Sequence, residues 1–492
     1  MKRLGIIDGA FLKMESPRTP MHVAGLLTFR LPPCAPSDYL AGVFAFMRSQ
    51  AVRLPPFNAR IVRRGLAWLA PAWTEATDLD IDYHMRHSAL PYPGGERELG
   101  QLVERLHSHP MDLSRPLWEC HLIEGLENGR FAIYLKAHHA SMDGMGALNY
   151  IRNWLSKDPA FENAAGPWAL PPRPRSEADL ERPQADPLHR ALELAGGQLR
   201  SASELVRTLR KMAVKRDNPE GGLMSALHTP RTVFNTAITP QRRLATQRLE
   251  LARFKALGAI TGATVNDLSM AICAGALRRY LREMDALPGL PLVASFPIGL
   301  ARTDGKPGNA VAGFVCPLAT DEASPRRRLE VIKAVTTRTK HQLKDLSPAA
   351  LDQLTLLGMS PLILGQMTGQ LSRLPPFFNL VISNVVGSRD KLYFRGAELE
   401  SIYPISVLFD GYALNATIVG YADSVCIGYT GCRKAVPHLQ RLAVYTGEAL
   451  DELERAFGLG KRPAAKKAAT KQAVKKAATN KQRARKKAAE SL

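Results

Sequence analysis

Between Arg130 and Leu155 the spacing of the apolar residues changes, and the change falls on a run of titratable side chains. Phe131, Ile133 and Leu135 alternate with Ala132, Tyr134 and Lys136, which is the period of a strand. Met142, Met145, Leu148, Ile151 and Leu155 then recur as one face of a helix. The chain must therefore pass from strand to helix within a few residues. Those residues are His138-His139-Ala140-Ser141-Met142-Asp143-Gly144. If the strand runs up to the motif, the two imidazoles point to opposite sides, with His139 sharing the inward parity of Phe131, Ile133 and Leu135.

A neutral imidazole titrates near physiological pH and can take the proton of an alcohol as that alcohol attacks a thioester. Such a base contributes a factor of about 10²–10⁴, or roughly 3–5 kcal/mol of barrier. His139 is the expected general base, and His138 supports it, mainly through packing. Asp143, at the start of the helix, is expected to orient the loop through an ion pair or a cap rather than to carry a proton. Two structural histidines beside a solvated aspartate would leave the same motif, so the rest of the chain has to decide.

A second junction lies at Thr264-Val265-Asn266-Asp267, which opens a long helical pattern through Tyr280. With Thr264 as N-cap, Asn266 falls in the first turn, where backbone donors favour developing negative charge. Asn266 is thus a candidate oxyanion donor, or else it and Asp267 simply cap and charge the helix start. Gly144, Asp267 and Asn384 are further candidates for substrate contact. So are Leu356, Met359 and Ile363, which lie in the long uncharged stretch 353–372. Its polar residues and its Ser360-Pro361 break argue for a pair of core helices or a lipid-facing surface over a bilayer span.

The chain divides by composition into four parts. Residues 1–155 and 241–457 alternate strand and helix patterns as two α/β halves. Residues 156–240 form a proline-rich crossover carrying a basic amphipathic stretch over 188–215, and 458–492 a Lys/Ala-rich tail read as disordered. At 492 residues and 45% hydrophobic, the chain exceeds what one core usually supports. The tail holds about half of the formal charge of +21. Its cations and the crossover helix suit an anionic membrane or lipid-droplet surface. The tail has no aromatic residue to stack on bases, which argues against nucleic acid. The cysteines form no CxxC pair and the histidines no ligand set, so buried thiols and no metal are expected. No signal peptide or transmembrane helix is visible, which fits a cytoplasmic protein peripheral to the inner membrane or lipid inclusions.

The motif, taken with Pro116-Leu117-Trp118, Val265-Asn266-Asp267 and Ser383-Asn384-Val385, resembles the bacterial wax ester synthase/acyl-CoA:diacylglycerol acyltransferase (WS/DGAT) family. The resemblance extends to Asp8-Gly9-Ala10-Phe11-Leu12, Pro20-Met21-His22-Val23-Ala24-Gly25, Pro55-Pro56-Phe57-Asn58 and Leu414-Asn415-Ala416-Thr417, and so covers almost everything except the tail. Two places depart from the family pattern. Asn384-Val385-Val386-Gly387-Ser388 lacks the usual prolines, and Ile298-Gly299 replaces a small polar pair. The resemblance implies two chloramphenicol acetyltransferase-like (CoA-dependent acyltransferase) halves with a tunnel at their interface. It also implies fatty acyl transfer from acyl-CoA, a co-substrate, to a fatty alcohol or diacylglycerol, with no cofactor. Two rivals from other classes share these features: a condensation-type enzyme acting on carrier-protein thioesters, and an inactive lipid-binding protein of lipid droplets.

Overall fold

The structure is a computed structural model that describes residues 2–4, 6–53, 55–62, 71–161, 165–170, 229–299, 311–344 and 360–459. The 188–215 stretch of the crossover, most of the tail, and Leu356 and Met359 lie outside the described residues.

The first half runs β1 (Lys2–Arg3), α1 (Ile6–Met14), β2 (His22–Arg30), α2 (Tyr39–Ser49), β3 (Ala59–Val62), β4 (Ala72–Glu75), α3 (Ile81–His84), β5 (Met85–Ala89), α4 (Glu96–Ser108), β6 (Trp118–Leu126), β7 (Arg130–His138) and α5 (Gly144–Trp154). The second runs β8 (Arg242–Glu250), α6 (Leu251–Thr261), α7 (Val265–Glu283), β9 (Val293–Gly299), β10 (Val311–Pro317), α8 (Pro325–Lys344), β11 (Leu380–Val386), β12 (Tyr393–Phe394), β13 (Ala397–Ile405), β14 (Leu414–Tyr421), β15 (Ser424–Cys432) and α9 (Gln440–Ala456). Each half is built on a mixed six-stranded sheet, in the orders β12-β13-β2-β7-β6-β5 and β10-β9-β11-β14-β15-β8. Strands β1, β4 and β3 make a separate small sheet.

Two strands, β12 and β13, cross between the halves. Segment 393–405, expected within the C-terminal half, instead extends the first sheet, with β13 antiparallel to β2 from Glu398 opposite Arg30 to Ile405 opposite Ala24. There it packs against the second sheet so closely that a Cβ on Gly428 of β15 would lie 2.1 Å from the Pro404 carbonyl oxygen of β13. Only a glycine permits that approach.

The expectation that β7 has one inward and one outward face is corrected. Phe131, Ile133 and Leu135 pack in one core with Leu27, Phe29 and Trp118, while Ala132 and Tyr134 pack in another with Leu99 and Val103 of α4. A sheet covered on both faces buries both parities. Lys136, which looked like an outward residue, is fully buried. In the second half α7 is buried nearly all round, in a core with Ile382, Ile418, Ile427 and Tyr429 of the sheet. Among the described residues no single helix is long and apolar enough to cross a membrane. All cysteines are free, and Cys34 alone among them is exposed.

Candidate active site

β7 ends on His138, and the turn after it is held by backbone groups. The His139 N–H donates to the Met21 carbonyl at 2.8 Å, and the Ser141 and Met142 N–H groups donate to the His138 carbonyl. Asp143 then caps α5 by accepting from the Gly146 N–H at 2.5 Å, a role fixed by its place immediately before the helix. Gly144 is the exposed first residue of that helix.

The two histidines have different surroundings. His138 is fully buried; its Nδ1 accepts the Ala140 N–H at 3.0 Å, which leaves the ring proton on Nε2. Nε2 lies 2.5 Å from a carboxylate oxygen of Glu15. Both nitrogens are thereby committed. His139 stacks on Phe11, with ring centroids 3.9 Å apart and planes 13° apart. Its Nδ1 is buried without a hydrogen-bond partner, yet the residue keeps partial exposure. Burial, and then the neighbouring His138 ring, press its pKa down to about 4. It is therefore a neutral imidazole throughout the physiological range.

Glu15 is a site residue that the sequence reading missed. It follows α1, belongs to none of the recognised motifs, and also accepts the Met21 N–H at 3.3 Å. The signal available was its position just before Pro20–Gly25, the segment that pairs with β7 and sets His22 opposite His138.

Beneath the motif, on the α4 side of the sheet, lies a buried polar row. The Lys136 ammonium donates to the Leu106 and His109 carbonyls and pairs with Glu119 at 3.2 Å. Burial alone would raise the Glu119 carboxyl; His121 and Lys136 outweigh it and hold the group down at about 2. Burial also lowers Lys136. His22 Nε2 donates to the His107 carbonyl at 2.8 Å, and His107 Nδ1 meets the Tyr134 hydroxyl at 2.9 Å. Charges this deep persist only when paired.

At the second junction Thr264 caps α7 in a reciprocal box with Asp267. Asp267 is buried, accepts from the Thr264 N–H and hydroxyl with one oxygen and from the Thr336 hydroxyl with the other. Its carboxylate is used up inside the fold, which makes it a structural group rather than the substrate contact expected. Asn266 and Asn384 are brought together: the Asn384 amide donates to Asn266 Oδ1 at 3.0 Å. The Asn266 amide nitrogen faces only Met270 sulfur at 3.9 Å, so its donors are weakly engaged. Asn415 accepts from Thr417 within its own strand.

The junctions meet through packing. Met142 of the motif and Val385, next to Asn384, lie in one apolar core. Phe11, Met21 and Ala140 share another with Leu362, Leu371 and Phe409, and Ile363 packs against it. Among the described residues no group of three or more His, Cys, Asp or Glu is placed to hold a metal.

Residues 4–269 match the wax ester synthase/diacylglycerol acyltransferase catalytic domain, and residues 307–454 match the WS/DGAT C-terminal domain. The chain belongs to the WS/DGAT family. It is 46% identical over 461 residues to a putative diacylglycerol O-acyltransferase of Mycobacterium tuberculosis, covering 93% of this chain and 99% of that one. A probable diacylglycerol O-acyltransferase of the same organism is 39% identical, covering 92% and 98%. Among solved structures, the wax ester synthase/diacylglycerol acyltransferase of Marinobacter aquaeolei VT8 superposes with a TM-score of 0.75 at 36% identity, over 93% of this chain and 100% of that one. The first condensation domain of the CDA synthetase shares the fold, with a TM-score of 0.58 at 18% identity over 93% and 97%. The protein is thus an acyltransferase with the two-half α/β fold of this family.

Proposed function

We propose that the protein transfers a fatty acyl group from acyl-CoA to a long-chain alcohol or to diacylglycerol, releasing CoA and a neutral lipid. The observation that carries this reading is the state of His139: a neutral imidazole that keeps partial exposure at the end of β7. The imidazole takes the acceptor hydroxyl proton as the oxygen attacks the thioester carbonyl. The carbonyl π electrons move to oxygen, and in this reading the Asn266 amide donates to it; one such donor is typically worth about 2.7–4 kcal/mol. Collapse breaks the carbon–sulfur bond, and the imidazolium returns its proton to the departing thiolate. His139 ends neutral, no acyl-enzyme forms, and acyl-CoA is a co-substrate with no further cofactor required. Holding both substrates against one base supplies the advantage of proximity.

Gly144, Asn384 and Ile363 surround this reaction in the proposal as wall residues, and Asp143 and His138 hold the loop. The test uses purified protein and palmitoyl-CoA, offered hexadecanol, diacylglycerol or neither, with free thiol and lipid product measured together. Equal molar release of thiol and ester with either acceptor supports the reading. Thiol release that no acceptor increases, with no ester formed, contradicts it.

A further inference from the structure

Most exposed apolar side chains among the described residues are scattered singly, which is ordinary for a protein surface. Residues 364–374 are different. Leu364 is 64% exposed, Met367 49% and Leu374 39%, all within one short helix and the turn after it. The opposite side of that helix is fixed to the site. Gln366, buried, donates to the Thr19 hydroxyl at 2.8 Å and accepts the Asp410 N–H at 2.9 Å. Leu362 and Leu371 join the apolar cluster that contains Phe11, the stacking partner of His139.

The turn is finished in a way suited to leaving water. Arg231 donates to the carbonyls of Ser372, Arg373 and Leu374, so the polar backbone beneath Leu374 is satisfied from within. A lipid interface charges heavily for unsatisfied backbone groups and little for satisfied ones. At the turn stand two exposed cations, Arg231 and Arg373. An apolar crest flanked by arginines matches an anionic phospholipid surface, acyl chains under the crest and headgroups against the arginines.

We infer that Leu364, Met367 and Leu374, flanked by Arg231 and Arg373, form the surface by which the protein docks on an anionic phospholipid layer. The docked face lies over the apolar cluster next to His139, so a membrane-dissolved acceptor reaches the site without crossing water. The route for the acceptor rests on the acyl-transfer reading; the docking itself does not.

The experiment compares the full chain with the double variant Leu364→Ser/Met367→Ser and, separately, with Leu374→Ser. Co-sedimentation is measured with phosphatidylcholine vesicles with and without phosphatidylglycerol, at 0.15 M and 0.5 M salt. High salt screens the basic tail and leaves the apolar contribution. Vesicle binding by the double variant should fall by about tenfold at both salts, with a smaller fall for Leu374→Ser. Turnover on diacylglycerol held in the vesicles should fall with it, while turnover on water-soluble hexanol stays at the parent level. Unchanged vesicle binding at 0.5 M salt overturns the proposal. So does an equal loss on hexanol and on vesicle-borne diacylglycerol, which would make the crest a wall of the site. A parent protein that binds vesicles through the crest but acylates neither acceptor would sink the acyl-transfer reading and leave the docking surface standing.

Discussion

The starts of α5, which follows a strand, and of α7, which follows another helix, use the same capping chemistry and leave different things behind. At the start of α5, Asp143 satisfies the first turn and the histidine four residues earlier keeps a buried nitrogen without a partner. At the start of α7, Thr264 and Asp267 satisfy each other, Thr336 takes the remaining oxygen, and Asn384 takes the carbonyl of Asn266. A cap frees the neighbouring side chain only when it needs no help from it. The first junction therefore offers a base, and the second a single amide donor.

This contrast can be broken by substitution. His139→Ala should reduce turnover about 10²–10⁴-fold with circular dichroism and melting temperature close to the parent's; retention of more than a tenth of the parental rate removes the base from His139. Asn266→Ala should cost about 10²–10³-fold in kcat with little change in KM, as expected for a donor used in the transition state. A rise in KM with kcat unchanged would make Asn266 a ground-state contact instead.

Glu15 sharpens the comparison from the other side, because it does not touch the His139 ring and holds the loop through His138 and Met21. Glu15→Ala strands a buried imidazole N–H and should lower stability by about 1–3 kcal/mol in urea titrations, with a severalfold loss of turnover. Glu15→Gln offers an amide oxygen to the same N–H and should recover most of both. If the two variants behave alike, the carboxylate is not positioning the loop through that bond.

The buried histidines predict the smallest and broadest effect. Burial lowers His22, His84, His107 and His139, so the folded state takes up protons later than the unfolded chain does. Stability is then complete above about pH 6.5, the unfolded value, and declines as pH falls toward 4. Urea midpoints at pH 7.5 and 5.5 should differ in that direction; a higher midpoint at 5.5 would contradict it.

Much of this was legible in the sequence because the periodicity was local. The β7 to α5 switch, the amphipathic face of α4 and the Thr264 cap each depend on residues within a few positions. β13 was not legible: Glu398, Glu400 and Pro404 make a poor strand pattern, and its partner β2 lies at the other end of the chain. Glu15 was hidden for the same reason, since a lone carboxylate gains meaning only from a histidine more than a hundred residues away. Lys136 was misread because alternation reports polarity and not whether a helix covers the second face. The alternating patterns already divided the chain into two α/β halves; family resemblance supplied the expectation that they pack as in chloramphenicol acetyltransferase-like folds, which spacing alone does not contain.

The central claim is that His139 works as a neutral base in a site dry enough to hold its pKa near 4. The pH dependence of kcat/KM, measured in short pH jumps with recovery checked at pH 7.5, tests it directly. The account predicts a rate that stays level from pH 8 to about 5 and then falls as the imidazole protonates near pH 4. A fall centred near the ordinary histidine value of about 6.5 would contradict it.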